Sequence, residues 1–284
     1  MRPRVLPSPA GRATLRVVRR TFELHWWTAT LLVAAAARLQ AAQLTPPAGK
    51  AFDSYVAEVE ARLANQPDAA VPRPVAAVQA GSLVADPVNG GSWPVAGGRL
   101  HHWRATTLVP GATPAQLLAL LRDNDHLARY YSPEVVSSRA LRDDGERAAV
   151  AMRFLKRQVI TVVLDAEFET QSGLIDGGRR GFSFSRSTHI WQVDRADSKQ
   201  ERRRAEGDDD GFLWRLNSYW SFQETPEGLR IECEAVSLTR DVPAGLGWLI
   251  VPIIRTLPRD SLEFMLSATR KALLTRRSYD DRAN

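Results

Sequence analysis

Between Gly211 and Asp241 hydrophobic and polar residues alternate along two extended runs. In the first run Phe212, Trp214, Leu216, Ser218, Trp220 and Phe222 fall on one side, and Arg215, Asn217, Tyr219 and Ser221 on the other, because successive side chains of a strand point to opposite faces. The second run, GLRIECEAVSLTRD, follows Thr225-Pro226-Glu227-Gly228, with Pro and Gly at the punctuating places of a tight turn. The pair predicts a β-hairpin. Its aromatic side needs cover, and its other side carries a positive charge, an amide and a phenol that suit a polar part of a pocket. The hairpin is therefore expected to form a wall of a binding cavity.

Ahead of it, Ala48 to Ala64 shows Phe52, Tyr55, Val56, Val59 and Leu63 at helical spacing. This predicts an amphipathic helix, either a lid or partner-binding arm, or a helix packed on the back of a sheet. The stretch from Pro67 to Gly98 is rich in Pro, Ala and Gly, with breakers at Asn89-Gly90-Gly91 and Gly97-Gly98, and reads as a connector with one short strand at Val75 to Val84. From Arg99 a strand runs to Val109. Thr113 and Pro114 then supply the N-cap and first position of a helix whose buried side is Leu117, Leu118, Leu120 and Leu121. A second short helix covers Asp123 to Tyr131. Strands are predicted at Val135–Leu141, Arg147–Lys156, Val159–Thr170 and Arg180–Val193, followed by the two arms of the hairpin. The charged stretch between Asp194 and Asp210 reads as a solvated loop. An apolar loop at Pro243–Ile254 precedes a final helix from Pro258 to about Leu274, with Leu262, Met265, Leu266, Thr269 and Leu273 on one stripe.

Charge changes the picture less than its total suggests. The 284 residues carry a formal charge of +6 and a pI near 9.9, which invites a nucleic-acid reading. Seven arginines and one acid lie in residues 1–41, so the remainder holds 31 basic residues (38 less seven) and 31 acidic ones (32 less one). The folded part is neutral, and nucleic acid is not an expected partner. The basic start, the apolar run Trp26–Ala37 and the small residues through Ala41-Ala42 have the three zones of a secretory leader. Its apolar run falls short of the roughly 20 residues a membrane helix needs. The expected organisation is a leader at 1–41, the helix and connector at 42–98, the main domain at 99–275 and a polar tail at 276–284, with a periplasmic or secreted location. Cys233 is the single cysteine, which excludes an intramolecular disulfide.

The order strand, two short helices, six strands, long helix is that of an α+β helix-grip fold: a seven-stranded curved antiparallel sheet wrapped around the C-terminal helix. The segments HHWRATTLVPGAT, YYSPEVV, GFLWRLNSYW and SLTRDVPAGLGWLI resemble secreted bacterial members of the START-like superfamily, also described as the SRPBCC, polyketide cyclase or Bet v 1-like group. The resemblance covers roughly Arg99 to Leu274. It implies a cavity between sheet and last helix, and relatives that bind lipids, sterols or polyketides, only some of which catalyse.

No nucleophile-and-base pattern stands out, so no catalytic residue is assigned. His101 and His102, adjacent on a strand, must point to opposite faces, a poor geometry for joint metal ligation. Gly245-Leu246-Gly247 lacks the third glycine of a dinucleotide loop. Neither a metal nor a cofactor is expected. Candidate ligand-binding residues are instead polar or aromatic groups within apolar strands: Arg153, Trp191, Trp214, Arg215, Asn217, Tyr219, Trp220 and Glu234, joined by Trp248 in the apolar loop. A buried charge must be paired. Arg153 or Arg215 would anchor the head group of an amphipathic ligand, with Glu234 and Tyr219 completing the network, or these residues form cross-strand pairs on the wet side of the sheet. The tryptophans face the same choice between cavity lining and core. The expected function is binding, and transport, of a hydrophobic or amphipathic small molecule, with transient membrane contact through Pro243–Ile254. The alternatives are a cyclase or hydratase acting on a polyketide-like substrate and a cell-envelope interaction module.

Overall fold

A computed structural model describes the backbone of residues 42–65, 82–157, 161–241 and 247–283, and the side chains of these except 42, 65, 247–255 and 276–283. The expected leader, most of the connector before Leu83, and the side chains of the polar tail and of Pro243–Ile254, including Trp248, lie outside the described residues, while the backbone of the tail through Ala283 continues the last helix.

The hairpin forms where the turn residues require it. Strands β10 (Arg215–Thr225) and β11 (Gly228–Thr239) pair from Thr225↔Gly228 to Arg215↔Leu238. Gly228 has φ +135°, and a Cβ there would lie 2.5 Å from the Val109 carbonyl oxygen. Only glycine fits this close approach. β10 pairs on its other side with β7 (Arg180–Asp194), and β11 with β3 (Gly98–Val109). Adding β2 (Leu83–Val95), β4 (Val135–Asp143), β5 (Arg147–Arg157) and β6 (Thr161–Ile175) gives the antiparallel order β2-β3-β11-β10-β7-β6-β5-β4. The two-residue β8 (Arg202–Arg203) pairs with β7, and the short β1 (Ala42–Gln43) and β9 (Asp208–Asp209) pair separately.

Among the described residues the main sheet thus has nine strands, not seven. The two additions are β8 and β2, and β2 occupies part of the expected connector. Pro87 and Pro94 are tolerated because β2 is an edge strand, where a missing N–H breaks no second ladder. Asn89, Gly90 and Gly91, all with positive φ, are accommodated as an irregularity in which the pairing shifts between Pro87 and Ser92.

Helices cover both faces. α1 (Pro46–Asn65) buries Ala48, Phe52 and Val59 against Leu100, Tyr219, Val236 and Leu238 on the outer face. On the inner face lie α2 (Pro114–Leu121), α3 (Leu127–Tyr131) and α4 (Gly247–Ala283). α2 starts with a capping box, the Gln116 N–H donating to the Thr113 hydroxyl at 3.2 Å and the Thr113 N–H to the Gln116 side chain at 3.0 Å. Leu262, Leu266 and Leu273 of α4 pack with Trp220, Phe222, Ile231 and Cys233, each such side chain contributing about 1.5–3 kcal/mol by leaving water. The backbone of α4 is helical from Gly247, so Gly247–Ile254 belongs to the helix rather than to the expected loop.

Candidate functional site

Strand alternation sorts the side chains onto two faces. Trp220 and Phe222 of β10 join the cluster under α4, whereas Tyr219 joins the cluster under α1. The same alternation turns Trp103 and Ala105 of β3 inward and Leu100 outward. α4 lies chiefly over β2, β3 and β11. Towards β5, β6 and β7 the inner face carries a second apolar cluster of Leu164, Ala166, Phe168 and Ile190. Met152 and Phe154 touch both clusters and remain only half-buried, as does Leu216 beside the second. Phe154 meets Phe168 edge-on at 6.0 Å. The arrangement is an apolar surface with the helix across one half of it. Among its polar features, the Tyr131 hydroxyl lies 3.0 Å from the Thr269 hydroxyl, and burial pushes the Tyr131 phenol above its usual range.

The sequence-predicted residues divide unevenly between the faces. Trp220, 4% exposed, lies inside. The Tyr219 hydroxyl donates to Glu60 Oε1 of α1 at 2.9 Å and accepts from Asn217 Nδ2 at 3.1 Å, on the outer face; burial first, and the nearby Glu60 carboxylate, push this phenol up. Glu234, 3% exposed, accepts from Arg62 Nη2 of α1 at 2.6 Å and Arg104 Nε at 3.1 Å, with His102 Nε2 at 2.9 Å. Burial pushes its carboxyl up, but the His102 contact and the two guanidinium groups outweigh this and hold it well below the usual carboxylate range. His102 Nδ1 in turn lies 2.8 Å from the Tyr55 hydroxyl of α1.

Arg153 donates to Asp165 at 2.7 and 3.0 Å and to Glu201 at 2.8 Å, and Arg203 donates to the same Asp165 at 2.7 Å. Trp191 stacks on His189 with centroids 5.1 Å apart, and the Arg203 guanidinium lies 4.6 Å from its ring. Trp214 is buried in the cluster under α1 and donates its indole N–H to Asp209 at 3.0 Å. Arg215 pairs with Glu206 at 3.2 Å. These groups are partnered within the protein, and Asn217, Tyr219 and Glu234 lie beneath α1 rather than α4. Met152, Phe154 and Tyr131 belong to the inner surface without having stood out in the sequence, and Thr269 lies there on the predicted stripe of the last helix; the apolar residues at every second position of β5, Ala148, Val150, Met152 and Phe154, are the signal that marks the first two. Among the described residues, no three His, Cys, Asp or Glu side chains are grouped to hold a metal ion, and no helix is long and apolar enough to cross a membrane.

A comparison with protein-family models gives no match, and neither does one with curated protein sequences. Solved structures with a similar architecture include a STAR-related lipid transfer protein from Xanthomonas axonopodis (14% identity, 67% of this chain and 98% of that one, TM-score 0.39). Others are the Zhui aromatase/cyclase from a Streptomyces species (14%, 62% and 93%, TM-score 0.40) and a START superfamily protein from Mycobacterium smegmatis (12%, 62% and 97%, TM-score 0.39).

Proposed function

We propose that this protein binds, and carries, a hydrophobic or amphipathic small molecule between the inner face of its sheet and α4. One observation carries the reading: Met152, Phe154 and Leu216, on the half of the inner face away from α4, stay half-buried beside the packed cores. Apolar groups left incompletely covered beside a packed helix are what a site for an apolar ligand offers. Catalysis of the cyclase type through Arg153, Tyr219 and Glu234 is less favoured, because each is committed to ion pairs or hydrogen bonds with other protein groups. Residues 1–41 support export to the periplasm or beyond as part of the same proposal, and Pro243–Ile254 a transient contact with the membrane that supplies the ligand.

Native mass spectrometry of the purified protein, followed by denaturation and identification of any released molecule, tests the reading. A stoichiometric apolar or amphipathic passenger is expected, and Met152→Glu should lose it while keeping the fold. An apo mass that does not shift on adding a lipid extract would overturn it.

A further inference from the structure

The inner face also carries polar atoms that no group among the described residues satisfies. Ser92 of β2 pairs across the ladder with His101 of β3, and Trp103 follows two residues along the same face. The Ser92 Oγ, His101 Nδ1 and Trp103 Nε1 atoms are each shielded from solvent and have no hydrogen-bond partner. His101 is 0% exposed. Directly paired residues put their Cβ atoms about 5 Å apart, and residues two apart on a strand lie roughly 7 Å apart, so the three side chains are neighbours on one face. A buried polar atom without a partner costs on the order of 1–3 kcal/mol, so three on adjoining positions call for an occupant.

The hydrogen-bond roles of the three atoms define it. The Thr239 hydroxyl donates its single proton to the Arg240 carbonyl at 3.1 Å, so towards His101 Nε2, 3.0 Å away, it can only accept. His101 therefore carries its proton on Nε2. Burial first, and the Arg99 charge next, pull the His101 pKa down to about 4, which keeps the ring neutral at pH 7 and leaves Nδ1 a bare acceptor. Trp103 can only donate, and Ser92 can do either. An alcohol matches this set: it accepts from Trp103 and donates to His101. An ether or a ketone cannot donate to Nδ1, and a carboxylate would bring its charge against that lone pair. We infer that Ser92, His101 and Trp103 form a hydroxyl-recognition subsite at the β2–β3 end of the inner face, selecting amphipathic alcohols among the ligands of the proposed binding site, a reading on which this inference rests.

The test uses the full chain, stripped of bound molecules, titrated separately with dodecan-1-ol, dodecyl methyl ether and dodecanoate by calorimetry. The alcohol should bind at least about tenfold tighter than the ether, the equivalent of one good hydrogen bond. His101→Phe should bring the two to equal affinity, and Ser92→Ala, the milder change should the first variant misfold, should narrow the ratio. Equal affinities in the unmodified protein, tightest binding of dodecanoate, or an alcohol preference untouched by both substitutions would overturn the subsite while leaving carriage standing; equal affinities would mean that the three atoms hold only water. Failure of all three probes to bind would overturn the binding reading and the subsite with it.

Discussion

Both faces of the central hairpin are covered by helices, and they are built to different plans. Under α4, Trp220, Phe222, Ile231 and Cys233 meet leucines. Under α1, Tyr219 and Glu234 meet Glu60 and Arg62 through charge-assisted hydrogen bonds. An apolar contact tolerates a sliding or exchangeable neighbour because it has no directional demand. A buried carboxylate tolerates neither, because removing one partner strands the others. The outer face is thus closed by specific pairing, and the inner face is the one free to exchange what lies against it.

The comparison can be broken from either side. Phe222→Ala, on the inner face, should cost about 3–5 kcal/mol, read as a lowered urea midpoint; a loss below 1 kcal/mol would mean the inner cluster is not the main core. Glu234→Ala should cost about 3 kcal/mol by leaving Arg62, Arg104 and His102 without their common acceptor, yet leave ligand retention in native mass spectra unchanged. Ligand loss at unchanged stability would show the outer face to be the site instead.

Acid separates the faces further. His101 has a pKa depressed below its unfolded value of about 6.5, so its neutral form stabilises the fold fully above that pH, and about 2–3 kcal/mol is lost as pH falls towards 4. Glu234 is also depressed, from an unfolded value of about 4.3, so its contribution is present above that pH and is lost only below it. Stability curves of His101→Phe and Glu234→Gln should flatten in the upper and lower windows respectively. A single window shared by both variants would contradict the assignment. Smallest of all, Thr113→Ala should cost about 1 kcal/mol through loss of the α2 cap, measured by thermal unfolding, with no effect specific to either face.

The period-two runs and the Pro-Gly punctuation made β3 to β7 and the hairpin legible in the sequence, and the Leu262, Leu266, Leu273 stripe made the last helix so. Which face looks inward was not legible. Central strands covered on both sides lose the apolar-in, polar-out contrast that orients a half-buried strand: in β11 every residue but Arg230 and Ala235 is buried. The edge strand β2 was hidden by the Gly-Gly irregularity that its position permits. Tyr219 and Glu234 read as pocket groups because their partners, Glu60 and Arg62, come from a helix far upstream. His101 was weighed with its neighbour only as a metal ligand, and its unpaired Nδ1 depends on the orientation of Thr239, which no local pattern encodes.

That distance along the chain sets an order of events. Glu60 lies 159 residues before Tyr219, and Arg62 172 residues before Glu234. A ribosome releases residues from the N-terminus onward, at about 5–20 per second, so α1 emerges many seconds before the strands it will cover. During that interval its apolar stripe and its charges have no docking surface, and the back of the sheet can be sealed only after the final hairpin has formed.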